Sequence, residues 1–149
     1  MTRTSLPFSR ILRSGDLTGL ERESLLEIAL LMATANGSTS PEELASLADL
    51  VGHFEGKSPA PGALSKKLSA ITERGIGTTV EERVHAIAKT LKRPLARELA
   101  YKAAYAVRIG DLESNPDEED LSDLLVEALD LGERAAALEN EVNEALMTE

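Results

Sequence analysis

The chain has 149 residues, a net charge of −10 and a hydrophobic content of 42%, which suits one compact domain with a substantial core. It contains no cysteine, so disulfides and thiolate zinc sites are excluded and a reducing cytoplasm is the expected compartment. No apolar run approaches the roughly 20 residues that span a bilayer, and the basic start MTRTSLPFSRILRSGD lacks the apolar stretch of a secretory signal.

Aromatic residues make up only 3% of the chain, so leucine, alanine, isoleucine and valine must build the core. Residues 1–19 read as an N-terminal segment, with Phe8, Ile11 and Leu12 forming a short docked helix or a loosely held end. A helical domain is expected over 20–149. Its first long helix follows Thr18 or Gly19 and carries Leu25, Ile28, Ala29 and Met32 at helical spacing. Asn36-Gly37 is expected to end it in a left-handed cap. Ser40-Pro41-Glu42-Glu43 is a capping box with proline at the first helical position. The stripe of that second helix is Leu44, Leu47, Leu50, Val51 and Phe54. Gly56 to Gly62 reads as a loop.

Ala63 to Glu73 is a short helix with Leu64, Leu68 and Ile71 inward, broken by Gly75-Ile76-Gly77. Thr79 and Glu82 repeat the capping-box pattern, and Val84, Ile87, Ala88 and Leu91 follow on one side. The central helix is expected from Pro94 to Ile109, with Leu95, Leu99, Ala103, Ala106 and Ile109 inward and enough alanine to permit close helix approach. Asn115-Pro116 starts the next helix, carrying Leu121, Leu124, Leu125, Ala128 and Leu129 and closed by Gly132. Glu133 to Leu146 is the last, with Ala136, Leu138, Val142 and Leu146 apolar. No stretch alternates with period two, so the expected fold is all-α, about seven helices and no sheet.

Charge is bipolar along the chain. Residues 111–149 hold 14 acidic and one basic residue, whereas residues 1–110 hold 12 acidic and 15 basic. The acidic third is expected to repel nucleic acid and to attract cations or a basic protein surface. A solvated face that aids solubility is the simpler reading.

Two segments share a pattern. Ala35-Asn36-Gly37 through Ser40-Pro41-Glu42-Glu43 aligns with Gly110-Asp111 through Asn115-Pro116-Asp117-Glu118, and an alanine-rich helix precedes the second. The paired turn resembles the TerB-like family, helical proteins associated with tellurite resistance, with a related module at the N-terminus of the DjlA co-chaperones. The resemblance covers roughly 25–146. It implies a helical bundle with a repeated helix–turn–helix, acting as an interaction module in a stress response. Asn36 stands where that family usually has aspartate, and Leu112 where it has glycine. The resemblance therefore implies that only the second turn keeps its acidic character.

Asp111, Glu113, Asp117 and Glu118 are the candidate metal ligands, a hard-oxygen set of the kind that suits Ca²⁺ or Mg²⁺. An EF-hand is excluded, because Pro116 occupies the position of its glycine and Ser122 that of its final glutamate. The competing reading is helix capping, with acids favouring the positive helix end. Glu82-x-x-His85 matches half of a di-iron motif, but Leu50 stands three residues before the only other histidine, His53. His53 is expected to cap the end of its own helix. No phosphate loop or nucleophilic constellation is present.

Lys89, Lys92, Arg93, Arg97 and Lys102 straddle one helix joint. With so few aromatics they do not make a nucleic-acid site, though they are suited to pairing with the acidic third of another copy as a homo-oligomer. The expected function is a non-enzymatic interaction module with no catalytic residues. The alternatives are a self-assembling structural protein and a carboxylate-based metal-dependent enzyme.

Overall fold

The computed structural model describes residues 18–34, 41–55, 61–74, 77–110 and 116–147. Among them the fold is all-helical. The seven helices are α1 (Gly19–Ala33), α2 (Pro41–Glu55), α3 (Pro61–Arg74), α4 (Val80–Thr90), α5 (Pro94–Gly110), α6 (Pro116–Ala128) and α7 (Arg134–Met147). No strand occurs among the described residues. The short helix expected around Phe8 and the turn at Asn36-Gly37 lie outside them.

The bundle is organised around α1 against α5, its most extensive helix contact. From Ser24 to Ala33 every residue of α1 except Leu31 is buried, as expected of a helix that is apolar nearly all round. On α5, Ala96, Ala100, Ala103, Ala104 and Ala106 are all fully buried. Their small side chains let the backbones approach, and Leu25, Ile28, Leu47, Leu50 and Leu125 fill the space around them. Helix α2 lies on both α1 and α5, α7 packs on α5, and α6 bridges α4 and α5. Helix α3 is the outermost, and Ile71 is its one buried apolar side chain among the described residues, with Leu64 and Leu68 partly covered.

The stripes are correct at their centres and wrong at their margins. Leu44 and Leu95, expected inward, are 42% and 40% exposed, and Ala136 is exposed as well. Each sits in or near the first turn of its helix. Helix α1 stops at Ala33, and the Thr34 backbone N–H and hydroxyl both donate to the Leu30 carbonyl. Helix α3 starts at Pro61, inside the expected loop, because proline fits the first helical position.

The end of α6 also differs from expectation. Gly132 has a positive φ of 52°, but the residue that turns the helix out is Asp130, at φ 55°. The Leu131 N–H donates to the Val126 carbonyl at 3.0 Å and the Asp130 N–H to the Glu127 carbonyl at 3.2 Å. That pair is a Schellman closure with aspartate where glycine is usual.

Two buried acids tie α1 to the rest. Glu27 accepts two hydrogen bonds from Arg83 of α4, at 2.6 and 2.7 Å. Glu21 accepts two from Arg93, just ahead of α5, at 2.9 and 2.6 Å, and completes a capping box with Thr18. The Arg93 hydrogen bond, followed by that from the Thr18 backbone, holds the Glu21 carboxyl down at about 2. A depressed folded-state pKa stabilises the fold above the ordinary glutamate value and ceases to do so as pH falls from about 4.5 towards 2. Because the Arg93 side chain is 44% exposed, screening limits the effect to roughly 1–2 kcal/mol. Urea melts of wild type and Glu21→Gln should therefore differ at neutral pH and converge by about pH 2. A gap of constant size across that range would contradict this origin.

Candidate functional site

The C-terminal helices carry the acidic surface. On α6, Leu121, Leu125 and Leu129 recur every fourth residue and are buried. The opposite side of α6 presents Glu119, Asp120, Asp123 and Glu127, all exposed, and Asp130 and Glu133 continue it through the α6–α7 joint. Arg108 reaches over from α5 to the Ser122 hydroxyl at 3.2 Å and to Glu119 at 3.5 Å. Among the described residues, Asp120, Asp123, Glu127, Asp130 and Glu133 have no ion-pair partner.

Helix α7 is docked through a polar seam. Buried Lys102 pairs with Glu141 at 2.6 Å, and Arg134 bridges Glu98 at 3.0 Å and Glu141 at 3.7 Å. The largely buried Tyr101 hydroxyl donates to Glu139 at 2.5 Å. Burial and then that carboxylate push the phenol above its ordinary pKa, so it stays a neutral donor. This seam uses acids of the C-terminal third for folding, which a count of charges along the sequence does not reveal.

The basic joint dissolves as a patch. Arg93 is committed to Glu21. Arg97 donates to the Leu91, Ala88 and Leu129 carbonyls at 2.6, 3.0 and 3.4 Å, closing the ends of α4 and α6. Lys102 is only 6% exposed. Lys89 and Lys92 are exposed, and so is much of the Arg93 side chain, at 44%. Three of the five cations, Arg93, Arg97 and Lys102, thus serve separate structural tasks.

The candidate metal ligands fall where the structure is not described. Asp111 and Glu113 lie outside the described residues. Asp117 and Glu118 are in the first turn of α6, and their side chains are outside them too. Among the described residues no group of three or more histidine, cysteine, aspartate or glutamate side chains could hold a metal ion.

Glu82 is occupied in capping Thr79, and His85 is exposed, so Glu82-x-x-His85 serves a helix start. The half-buried His53 ring lies 5.6 Å from that of Phe54. Burial, followed by the charge of Arg22, lowers its pKa. That disfavours the cationic form, the one with the stronger attraction to a helix end.

Glu21 and Glu27 escaped the sequence reading, although both left a signal. Thr18-x-x-Glu21 is a capping box, and Glu27 interrupts the apolar run from Leu25 to Ala33. A lone acid in an all-round apolar helix calls for a buried cation. Comparison with known proteins returns no matching family model, no matching curated protein and no matching solved structure.

Proposed function

We propose that the chain is a non-enzymatic interaction module of TerB-like type, acting in a stress response of the tellurite-resistance kind. Its exposed α6–α7 carboxylates receive a basic surface of a protein partner. The observation that carries this reading is the contrast in charge use. Arg83, Arg93, Arg97 and Lys102 are spent on internal contacts, whereas Asp123, Glu127, Asp130 and Glu133 stand exposed without ion-pair partners among the described residues. Unpaired like charge on one face destabilises slightly through self-repulsion and raises encounter rates with an oppositely charged partner. The TerB-like part rests on the sequence pattern, and the packing of the alanine-rich α5 against α1 is consistent with it.

The test is a quantitative pull-down from the native cell with wild type and with Asp123→Lys/Glu127→Lys. A partner lost on charge reversal, and lost progressively with added salt, is the expected result. A partner set that is indifferent to the reversal would remove the reading. A cation version involves Asp111, Glu113, Asp117 and Glu118. Calorimetric Ca²⁺ binding that disappears in Asp111→Asn supports it, and absence of heat and of a melting shift at millimolar Ca²⁺ rejects it.

A further inference from the structure

Three hollows of ≈ 630, ≈ 330 and ≈ 320 Å³ surround the C-terminal end of α1. They adjoin one another, because they share lining residues. Thr34 lines all three, Leu30 and Thr72 join the first to the second, and Leu31 and Val80 join the second to the third. The resulting groove runs from between α2 and α3, across the end of α1, to the first turns of α4 and α6.

Its apolar surface includes Leu44 and Val80, which are 42% and 49% exposed. Leu68 and Leu124, both partly buried, widen the strip at its two ends. Helix α3 buries little of itself against the body among the described residues. The rim is acidic, with Glu73 at one end and Glu81 and Asp120 at the other. Arg83 is the one cation among the described lining residues of these three hollows, and its guanidinium is held by Glu27.

An apolar floor between carboxylates selects its occupant by chemistry. An unstructured polycation satisfies the rim and leaves the floor wet. An acidic helix is repelled, and a wholly apolar one leaves the rim without counter-charges. We propose that this groove takes the apolar face of an amphipathic helix with basic flanks, contributed by a protein partner. Side chains at i, i+3/i+4 and i+7 cover the Leu44–Leu68 and Val80–Leu124 ends, while lysines or arginines meet Glu73, Glu81 and Asp120. Asp120 also begins the α6 acid stripe, so the carboxylates of α6–α7 steer the same helix towards the groove. The inference builds on the proposed basic partner and adds the surface and shape of its recognition.

The test uses the full chain and two labelled leucine–lysine peptides of identical composition. One has its leucines at helical spacing, and in the other the order is shuffled so that no apolar face forms. By fluorescence anisotropy the helical peptide should bind at least about tenfold tighter than the shuffled one. Leu44→Glu/Val80→Glu should abolish that advantage even though it adds negative charge, which plain electrostatic attraction would reward. Methyl chemical shifts of wild type should move at Leu44, Leu68, Val80 and Leu124, a readout independent of whether the variant folds.

Equal binding of the two peptides overturns the proposal. If the shuffled peptide then loses affinity in Asp123→Lys/Glu127→Lys, the acidic-face reading survives alone. If neither peptide binds, both readings fail. A helical peptide that binds only after Phe8→Ser/Leu12→Ser identifies the chain's own N-terminus as occupant. A dimer that Leu44→Glu/Val80→Glu dissociates identifies a second copy. Either result also overturns the proposal.

Discussion

Replacing Arg83 with methionine is expected to lower stability by about 3 kcal/mol, since removing one member of a buried ion pair leaves an uncompensated charge behind. Glu27 is that charge, with its side chain only 5% exposed on a helix that is otherwise apolar. The Arg83 side chain is 21% exposed, so some water can enter once it is gone, and the figure sits at the low end of its range for that reason. For a chain of this size the loss corresponds to a melting temperature about 6–12 °C lower. The double variant Glu27→Leu/Arg83→Met should recover most of it, because two well-packed apolar groups often replace a buried pair at little cost. Thermal melts of the two singles and the double decide the matter. If the double is as unstable as Arg83→Met alone, loss of packing by the arginine stem is the cause and the charge argument is wrong.

That pair also marks the boundary of what one-dimensional pattern conveys. Helix starts are legible because their chemistry is local. Thr79 and Glu82 cap each other across three residues, and Pro94 opens a helix by virtue of its own fixed φ, whereas Pro61 opens one inside a stretch whose glycine and proline content reads as a loop. The core is legible at Leu47, Leu50, Ala103 and Leu125 because periodicity puts them on the faces that several neighbours share. Leu44 and Leu95 have the same periodicity, yet they stay exposed while Leu47 and Ala96 close by are fully buried. Whether a stripe is covered depends on where the next helix sits, and nothing local encodes that.

The long-range polar contacts are illegible for the same reason. Glu27 meets Arg83 across 56 residues and Glu21 meets Arg93 across 72. The apparent basic patch was an artefact of adjacency. Residues 93, 97 and 102 lie on different sides of α5 or its lead-in, so each finds a different partner. The acidic third divides in a comparable way. Glu139 and Glu141 are used by Tyr101, Lys102 and Arg134, and the part left exposed without ion-pair partners among the described residues is narrower than the sequence implies. At the end of α6, Gly132 drew attention as the usual left-handed residue, while Asp130 takes that role one position after the cap. An acid there is disfavoured by its Cβ and by the negative helix end together.

The other large effect is expected at Arg97. Its guanidinium is the common closure for two helix ends, donating to the Ala88 and Leu91 carbonyls at the end of α4 and to the Leu129 carbonyl at the end of α6. Those oxygens have no partner further along their own helices, and the cation also opposes the negative ends of both dipoles. Arg97→Ala should cost about 2–4 kcal/mol, the sum expected for leaving partly buried acceptors unsatisfied. Arg97→Lys should restore less than half of it, since one ammonium cannot span three carbonyls that a planar fork reaches together. Hydrogen exchange separates this cause from a general loss of packing. In Arg97→Ala the amide of Leu91, which closes α4 on the Ile87 carbonyl, and that of Leu131, which closes α6 on the Val126 carbonyl, should lose protection before the amides of α1 do. Uniform loss across all helices would mean that Arg97 matters only as bulk. The local outcome bears on the proposed function as well. The end of α6 carries Glu127 and Asp130, so its loosening should weaken partner capture in Arg97→Ala while the α1–α5 core still holds.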